Sequence, residues 1–148
     1  MTKNDRLNTI SDLIERYEIG TQEELTERLN SLGYPVSQAT VSRDINELNL
    51  IKGEGVEKKL KYIKPVETSP DMPPKIMEHF KQIILSIDYA NNLIIIKTLS
   101  GNGGAAGNAI DQMKIKEILG TVAGDDTLLI VARNNSDAEK IVKTLRTF

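Results

Sequence analysis

The segment Ser37-Gln-Ala-Thr-Val-Ser-Arg-Asp-Ile-Asn-Glu-Leu-Asn-Leu50 decides the reading of this chain, because one helical period sorts it into two chemically different faces. At 100° per residue Val41, Ile45 and Leu48 fall within a narrow arc, while Ala39, Ser42, Arg43 and Asn46 point the other way. The second face suits the major groove of DNA. Ala39 lets the backbone approach, the Arg43 fork matches a guanine edge, Asn46 matches adenine, and Ser42 serves a base or a phosphate. Gln38 and Thr40, in the first turn, complete the candidate contacts.

Working outward, Leu7, Ile10, Leu13, Ile14 and Tyr17 give the buried stripe of a first helix from about Lys3 to Tyr17. Gly20 ends that unit. Thr21 followed by Glu24 reads as a capping box opening a second helix, whose Leu25, Leu29 and Leu32 recur on one face before Gly33 stops it. Tyr34-Pro35-Val36 is the turn, and Ser37 caps the third helix. Beyond Leu50, Ile51-Lys52-Gly53-Glu54-Gly55 and Leu60-Lys61-Tyr62-Ile63 read as two strands around a lysine-bearing loop, with Lys58 and Lys59 as candidate phosphate contacts. Residues 1–64 are thus expected to form a winged helix-turn-helix domain.

Charge supports this reading only locally. Residues 1–64 hold 10 Lys and Arg against 11 Asp and Glu, a balance of −1, so the domain is not basic as a whole. Lys52, Lys58, Lys59, Lys61 and Lys64 cluster after the third helix, whereas acids gather between Glu15 and Glu27. A solvated mixed-charge surface explains the same composition.

Pro65-Val-Glu-Thr-Ser-Pro-Asp-Met-Pro-Pro74 holds four of the five prolines and reads as an interdomain linker over residues 65–74. Residues 75–148 then follow the order αββαββα: a helix near Pro74 to Phe80, strands near Ile83 to Tyr89 and Leu93 to Leu99, a helix near Gly104 to Met113, strands near Glu117 to Ala123 and Thr127 to Val131, and a closing helix from Ser136. Asn91-Asn92 and Gly124-Asp125-Asp126 provide short turns, so each strand pair is expected to be an antiparallel hairpin. The fold class is α/β in two domains, an α-rich winged helix-turn-helix with a β-wing and an αββαββα oligomerisation domain. Leu93-Ile-Ile-Ile96 is apolar at four consecutive positions, which asks for cover on both faces of that strand and points to self-association, the alternative being a small two-layer domain that covers both faces by itself.

A second constellation combines Gly101-Asn-Gly-Gly-Ala-Ala-Gly-Asn-Ala-Ile-Asp111 with Gly120-Thr-Val-Ala-Gly-Asp-Asp-Thr127. Small residues at a helix start expose backbone amides to an anionic group, and Asp111, Asp125 and Asp126 suit a guanidinium through charge-assisted bonds. An anionic end and a cationic end together describe an amino acid with a basic side chain. Gly-Asp-Asp-Thr is also ordinary turn chemistry, and a metal-dependent enzyme built on the three aspartates is a further alternative.

Most catalytic designs lack their residues. Cys is absent, which excludes disulfides and thiolate metal sites, and the single His79 has no partner for zinc binding or proton shuttling. No nucleophile pattern accompanies it, so no catalytic residue, metal or cofactor is expected, and His79, Tyr34 and Tyr62 read as surface or packing residues. The 148 residues with 39% hydrophobic content are enough for real cores. A polar start and the absence of a membrane-length apolar run read as a cytoplasmic protein without membrane contact.

Over essentially its whole length the chain resembles the bacterial arginine repressors. The likeness rests on Ser37-Gln-Ala-Thr-Val-Ser-Arg-Asp-Ile-Asn-Glu-Leu, which resembles their recognition helix, and on Gly120-Thr-Val-Ala-Gly-Asp-Asp-Thr, which resembles their effector-site hairpin, with the proline segment between. The resemblance implies binding to double-stranded operator DNA, a C-terminal domain forming trimers that stack into hexamers, and L-arginine as co-repressor at the trimer–trimer interface. It implies regulation of arginine synthesis genes, with activation of catabolic ones as a companion role. Asp125 and Asp126 match the guanidinium-binding acids and Asp111 the acid of the ligand-side helix, with Gly104, Ala105, Ala123 and Thr127 around them. Where relatives often carry Gln or His, this chain has Gly104, which removes a side-chain contact and leaves the backbone. A paralogue with altered effector specificity, or an architectural DNA-binding hexamer in which arginine is secondary, are the alternatives.

Overall fold

The computed structural model describes residues 2–148, and the chain divides into two compact units, up to Pro65 and from Val66. In the first, α1 (Lys3–Arg16), α2 (Gln22–Ser31) and α3 (Gln38–Glu47) precede a hairpin of β1 (Ile51–Glu54) and β2 (Leu60–Ile63). Each helix starts on a hydroxyl cap, with Thr2, Thr21 and Ser37 accepting from the third amide of their helices. The complete capping box is at Thr2 and Asp5, not at Thr21 and Glu24 as the spacing suggested. Glu24 instead accepts from the amide of Gly20 at 3.4 Å and from Lys58.

Ile10, Leu13, Ile14, Ile19, Leu25, Leu29, Val41, Ile45 and Tyr62 form the core of this unit. Two residues expected inside are not. Tyr17 is exposed under the guanidinium of Arg28, whose carbon lies 4.3 Å from the ring centroid, and Leu32 is exposed at the end of α2. Both lie where a helix stops, so the periodicity that placed them inward no longer holds. Asn30 closes the turn into α3 by bonding both backbone groups of Val36, at 3.1 and 3.4 Å.

In the second unit α4 (Pro74–Ile83), β3 (Ile84–Ala90), β4 (Leu93–Thr98), α5 (Gly103–Met113), β5 (Ile118–Ala123), β6 (Thr127–Ala132) and α6 (Asn135–Leu145) follow the expected αββαββα order. The four strands form one antiparallel sheet in the order β3-β4-β6-β5. Register fixes its two faces. Ile94, Ile96, Leu128, Ile130 and Ile87 point into the core with α5 and α6, whereas Leu93, Ile95, Leu129, Val131 and Val122 share the opposite face. That opposite face carries the exposed Leu93 and Val122.

The proline-bearing segment behaves as part of the second unit rather than as a free spacer. Val66 is buried and donates its amide to Thr144 Oγ1 at 3.0 Å, Ser69 donates to the Met113 carbonyl at 2.7 Å, and Met72 packs on the core. Prolines exclude regular pairing, but the apolar side chains between them still seek burial. Pro74 opens α4 at a position where a missing amide costs nothing. Among the described residues, no helix is long and apolar enough to cross a membrane.

Candidate DNA-reading helix and effector hairpin

On α3, Gln38, Ala39, Arg43 and Asn46 are exposed on the outward face. Thr40 is half-buried, its hydroxyl 3.2 Å from that of Ser37. Ser42 is also half-buried and accepts from Gln22 Nε2 at 3.5 Å, so it turns toward α2 rather than lying flat on the outward face. The helix is held from behind by a pair that amphipathic reasoning missed. Arg6 of α1 forks onto Asp44, with Nε to Oδ2 at 2.6 Å and the second nitrogen to Oδ1 at 3.0 Å, and Asp44 is only 2% exposed. A bidentate guanidinium–carboxylate pair fixes rotation as well as distance, and the carboxylate raises the pKa of Arg6 above its ordinary value through the hydrogen bond. Lys3 adds a second tie to Glu47 at 2.8 Å. The hint in the sequence was Asp44 standing among apolar residues on the inward arc.

The wing distributes its lysines unequally. Lys59 is exposed, but Lys58 is ion-paired with Glu24 of α2, and Lys52 donates to the Gly20 carbonyl while its ammonium lies 4.2 Å from the centroid of Tyr62. Of the two lysines expected to face a phosphate, Lys58 is thus engaged within the domain. The lysine–glutamate pairing crosses from wing to helix, and no sequence spacing announces such a contact.

The second constellation assembles where α5 starts against the β5–β6 hairpin. Gly103 donates to the Asp125 carbonyl at 2.9 Å, and a methyl at Gly103 would stand 1.9 Å from the Gly124 carbonyl oxygen. Glycine is required there by contact. Gly104, by contrast, faces open space, and α5 begins without a side-chain cap. Asp125 Oδ2 accepts from Ser100 Oγ and from the Gly101 amide, both at 3.3 Å. Asp126 accepts from Thr127 Oγ1 at 3.0 Å, and that hydroxyl also takes a bond from Lys97 at 2.7 Å. Asp125, Asp126 and Ala123 are exposed, while Ala105 and Thr127 are half-buried.

Asp111 lies apart from these. It accepts from Thr121 Oγ1 at 3.2 Å, one α5 length away from the helix start, since seven residues from Gly104 rise about 10 Å. One protomer therefore does not gather the three aspartates, and among the described residues no cluster of three His, Cys, Asp or Glu stands ready for a metal ion.

Comparison with known proteins agrees with both halves. Residues 1–69 match the family model described as "Arginine repressor, DNA binding domain", and residues 80–147 match "Arginine repressor, C-terminal domain". The chain is 46% identical over 144 residues to the arginine repressor of Clostridium tetani, covering 97% of this chain and 94% of the relative. It is 48% identical over 140 residues to that of Ruminiclostridium cellulolyticum, covering 95% and 93%. The arginine repressor of Alkaliphilus oremlandii is 44% identical, with 97% of both chains covered. With a winged helix-turn-helix in front, an αββαββα unit behind it and relatives matched end to end, the chain belongs to the arginine repressor family, whose members are regulators rather than enzymes.

Proposed function

We propose that this chain is an arginine-responsive transcriptional repressor that binds operator duplex through α3 and the wing and acts on genes of arginine synthesis. The observation that carries the DNA half is the outward face of α3, where Gln38, Ala39, Arg43 and Asn46 stand exposed on a helix bolted down by Arg6 and Asp44. Arg43 reads a guanine edge and Asn46 an adenine, while Thr40 and Ser42 bond phosphate or a neighbouring base and Lys59 meets the backbone.

The effector half rests on the α5 start and the hairpin tip. The uncapped first turn at Gly104 and Ala105 receives a carboxylate, and Asp125 and Asp126 receive a guanidinium, beside Ala123 and Thr127. Within one protomer Asp111 and the hairpin acids bond to different neighbours, and a ligand shared between subunits would bring them together. Self-association is supported by the apolar sheet face of Leu93, Ile95, Leu129, Val131 and Val122, too apolar to remain in water. Trimers stacked into a hexamer give six such shared sites, and arginine stabilises the assembly that completes them by its differential affinity for that state.

Operator binding titrated with L-arginine tests both halves together. Arg43→Ala should weaken specific binding by ~1 to 3 kcal/mol and leave the assembly intact. Asp125→Asn should remove the arginine stimulation while leaving arginine-free binding unchanged. A normal arginine response in Asp125→Asn removes that acid from the effector site.

A further inference from the structure

The tip of the wing is gripped by one carboxylate from outside the hairpin. Glu18, in the corner between α1 and α2, accepts from three successive wing amides: Val56 at Oε1, and Glu57 and Lys58 at Oε2 at 2.7 and 2.8 Å. Three consecutive N–H groups converging on one anion make a concave nest, the backbone arrangement that elsewhere receives phosphate. The approach is close enough that a methyl at Gly55 would stand 3.0 Å from the Glu18 carboxylate and 2.4 Å from the Lys58 carbonyl oxygen. Beside it the Lys58–Glu24 pair and the Lys52 bond to the Gly20 carbonyl tie the same corner to both arms of the wing, and Tyr62 donates its amide to Ile19 at 2.8 Å.

We propose that Glu18 is a positioning residue for DNA binding: it holds the wing tip in the shape that presents Lys59 to the duplex. This rests on the DNA-binding reading above. A second consequence concerns the acid-rich stretch from Glu15 to Glu27, which looks unfavourable beside a polyanion. Two of its members, Glu18 and Glu24, are spent on the wing's own amides and ammonium, so their charges are satisfied before any phosphate arrives. Depression of both carboxyl pKa values by these hydrogen bonds agrees with that geometry.

The test compares Glu18→Gln with Glu27→Gln, the same loss of charge at an exposed position without a wing contact. Full-length proteins are titrated, in the presence of L-arginine, onto a labelled duplex that the wild type selects from a random pool. Amide hydrogen exchange at residues 56–58 is followed in parallel. Glutamine keeps the shape of Glu18 but offers one acceptor oxygen, and its amide group opposes the remaining donors. Exchange at 56–58 should rise in Glu18→Gln alone, operator Kd should rise about fivefold, and the salt slope should fall by about one phosphate contact. Simple loss of an acid near DNA acts in the opposite direction and tightens binding, so weakened binding is not a charge effect. Unchanged exchange at 56–58 overturns the grip, and raised exchange with unchanged affinity overturns its role in DNA binding. Wild-type protein that selects no duplex overturns the DNA reading and this proposal with it.

Discussion

At the scale of single residues, Asp44 has consequences disproportionate to its size. It is a carboxylate with almost no exposure on α3, and Arg6 supplies two matched donors to its two oxygens. Asp44→Ala strands a guanidinium that is 18% exposed, so part of its charge is recovered by water. Chemical denaturation should therefore show a loss of about 2 to 3 kcal/mol, somewhat below the cost of breaking a fully buried pair. The two adjacent glycines of α5 form a natural contrast. Gly103→Ala places a methyl against the Gly124 carbonyl and must push the helix start off the hairpin, whereas Gly104→Ala meets open space. The first should lower the melting temperature and abolish the arginine response. The second should raise stability by up to about 1 kcal/mol, the helix preference of alanine over glycine.

At the scale of elements, the wing shows how hydrogen bonding supplements a small hydrophobic anchor. Its strands are four residues each, too short to be stable alone. Tyr62 is buried beneath it, which raises the phenol's pKa. Ile63 of the second strand is buried as well, and the tip is anchored by polar contacts through Glu18 and Glu24. Amides of Val56, Lys58 and Glu57 hold the Glu18 carboxyl below the usual glutamate range, and a hydrogen bond from Lys58 does the same for Glu24. A carboxyl whose folded pKa is depressed gives stability above its unfolded pKa and loses it as pH falls through the folded value. Unfolding of the first unit, followed by wing amide exchange, should accordingly ease as pH drops from about 5 to about 3, with the wing opening before the helices. Replacing Glu18 and Glu24 by glutamine should flatten that dependence.

The helices were readable because their periodicity and caps are local: Thr2, Thr21 and Ser37 stand at the helix starts and the apolar spacing runs between them. The segment 65–74 was not. Its prolines announce the end of regular structure, but the burial of Val66 and the bond from Ser69 to Met113 depend on residues more than forty positions away. The same holds for Glu24, whose position fits a local capping box and whose carboxylate instead goes to a lysine 34 residues on.

At the scale of the whole molecule, the sheet of the second unit has one face closed by helices and one face of Leu93, Ile95, Leu129, Val131 and Val122. Ile95 pairs directly with Leu129, which pairs with Val122, so these three cross the middle of the open face. Ile95→Asp inserts a charge where neighbouring copies would meet but leaves the helix-covered core untouched. Sedimentation should show a single protomer, with unchanged helix content by circular dichroism, and arginine should no longer tighten operator binding. Intact hexamers in this variant would remove the open face from the assembly interface.

The order of elements, the two-part organisation and the two-faced character of α3 were determined by the sequence alone, since each depends on spacings of three, four or two residues that any reader of the chain can measure. Tertiary structure alone decided which charges are spent internally, placing Arg6 on Asp44, Lys58 on Glu24 and Glu18 on the wing amides. It also separated Asp111 from Asp125 and Asp126. The physical reason is that apolar burial follows a periodic pattern written along one element, whereas an ion pair or a carboxylate grip joins partners whose distance is set only when the chain has folded back on itself.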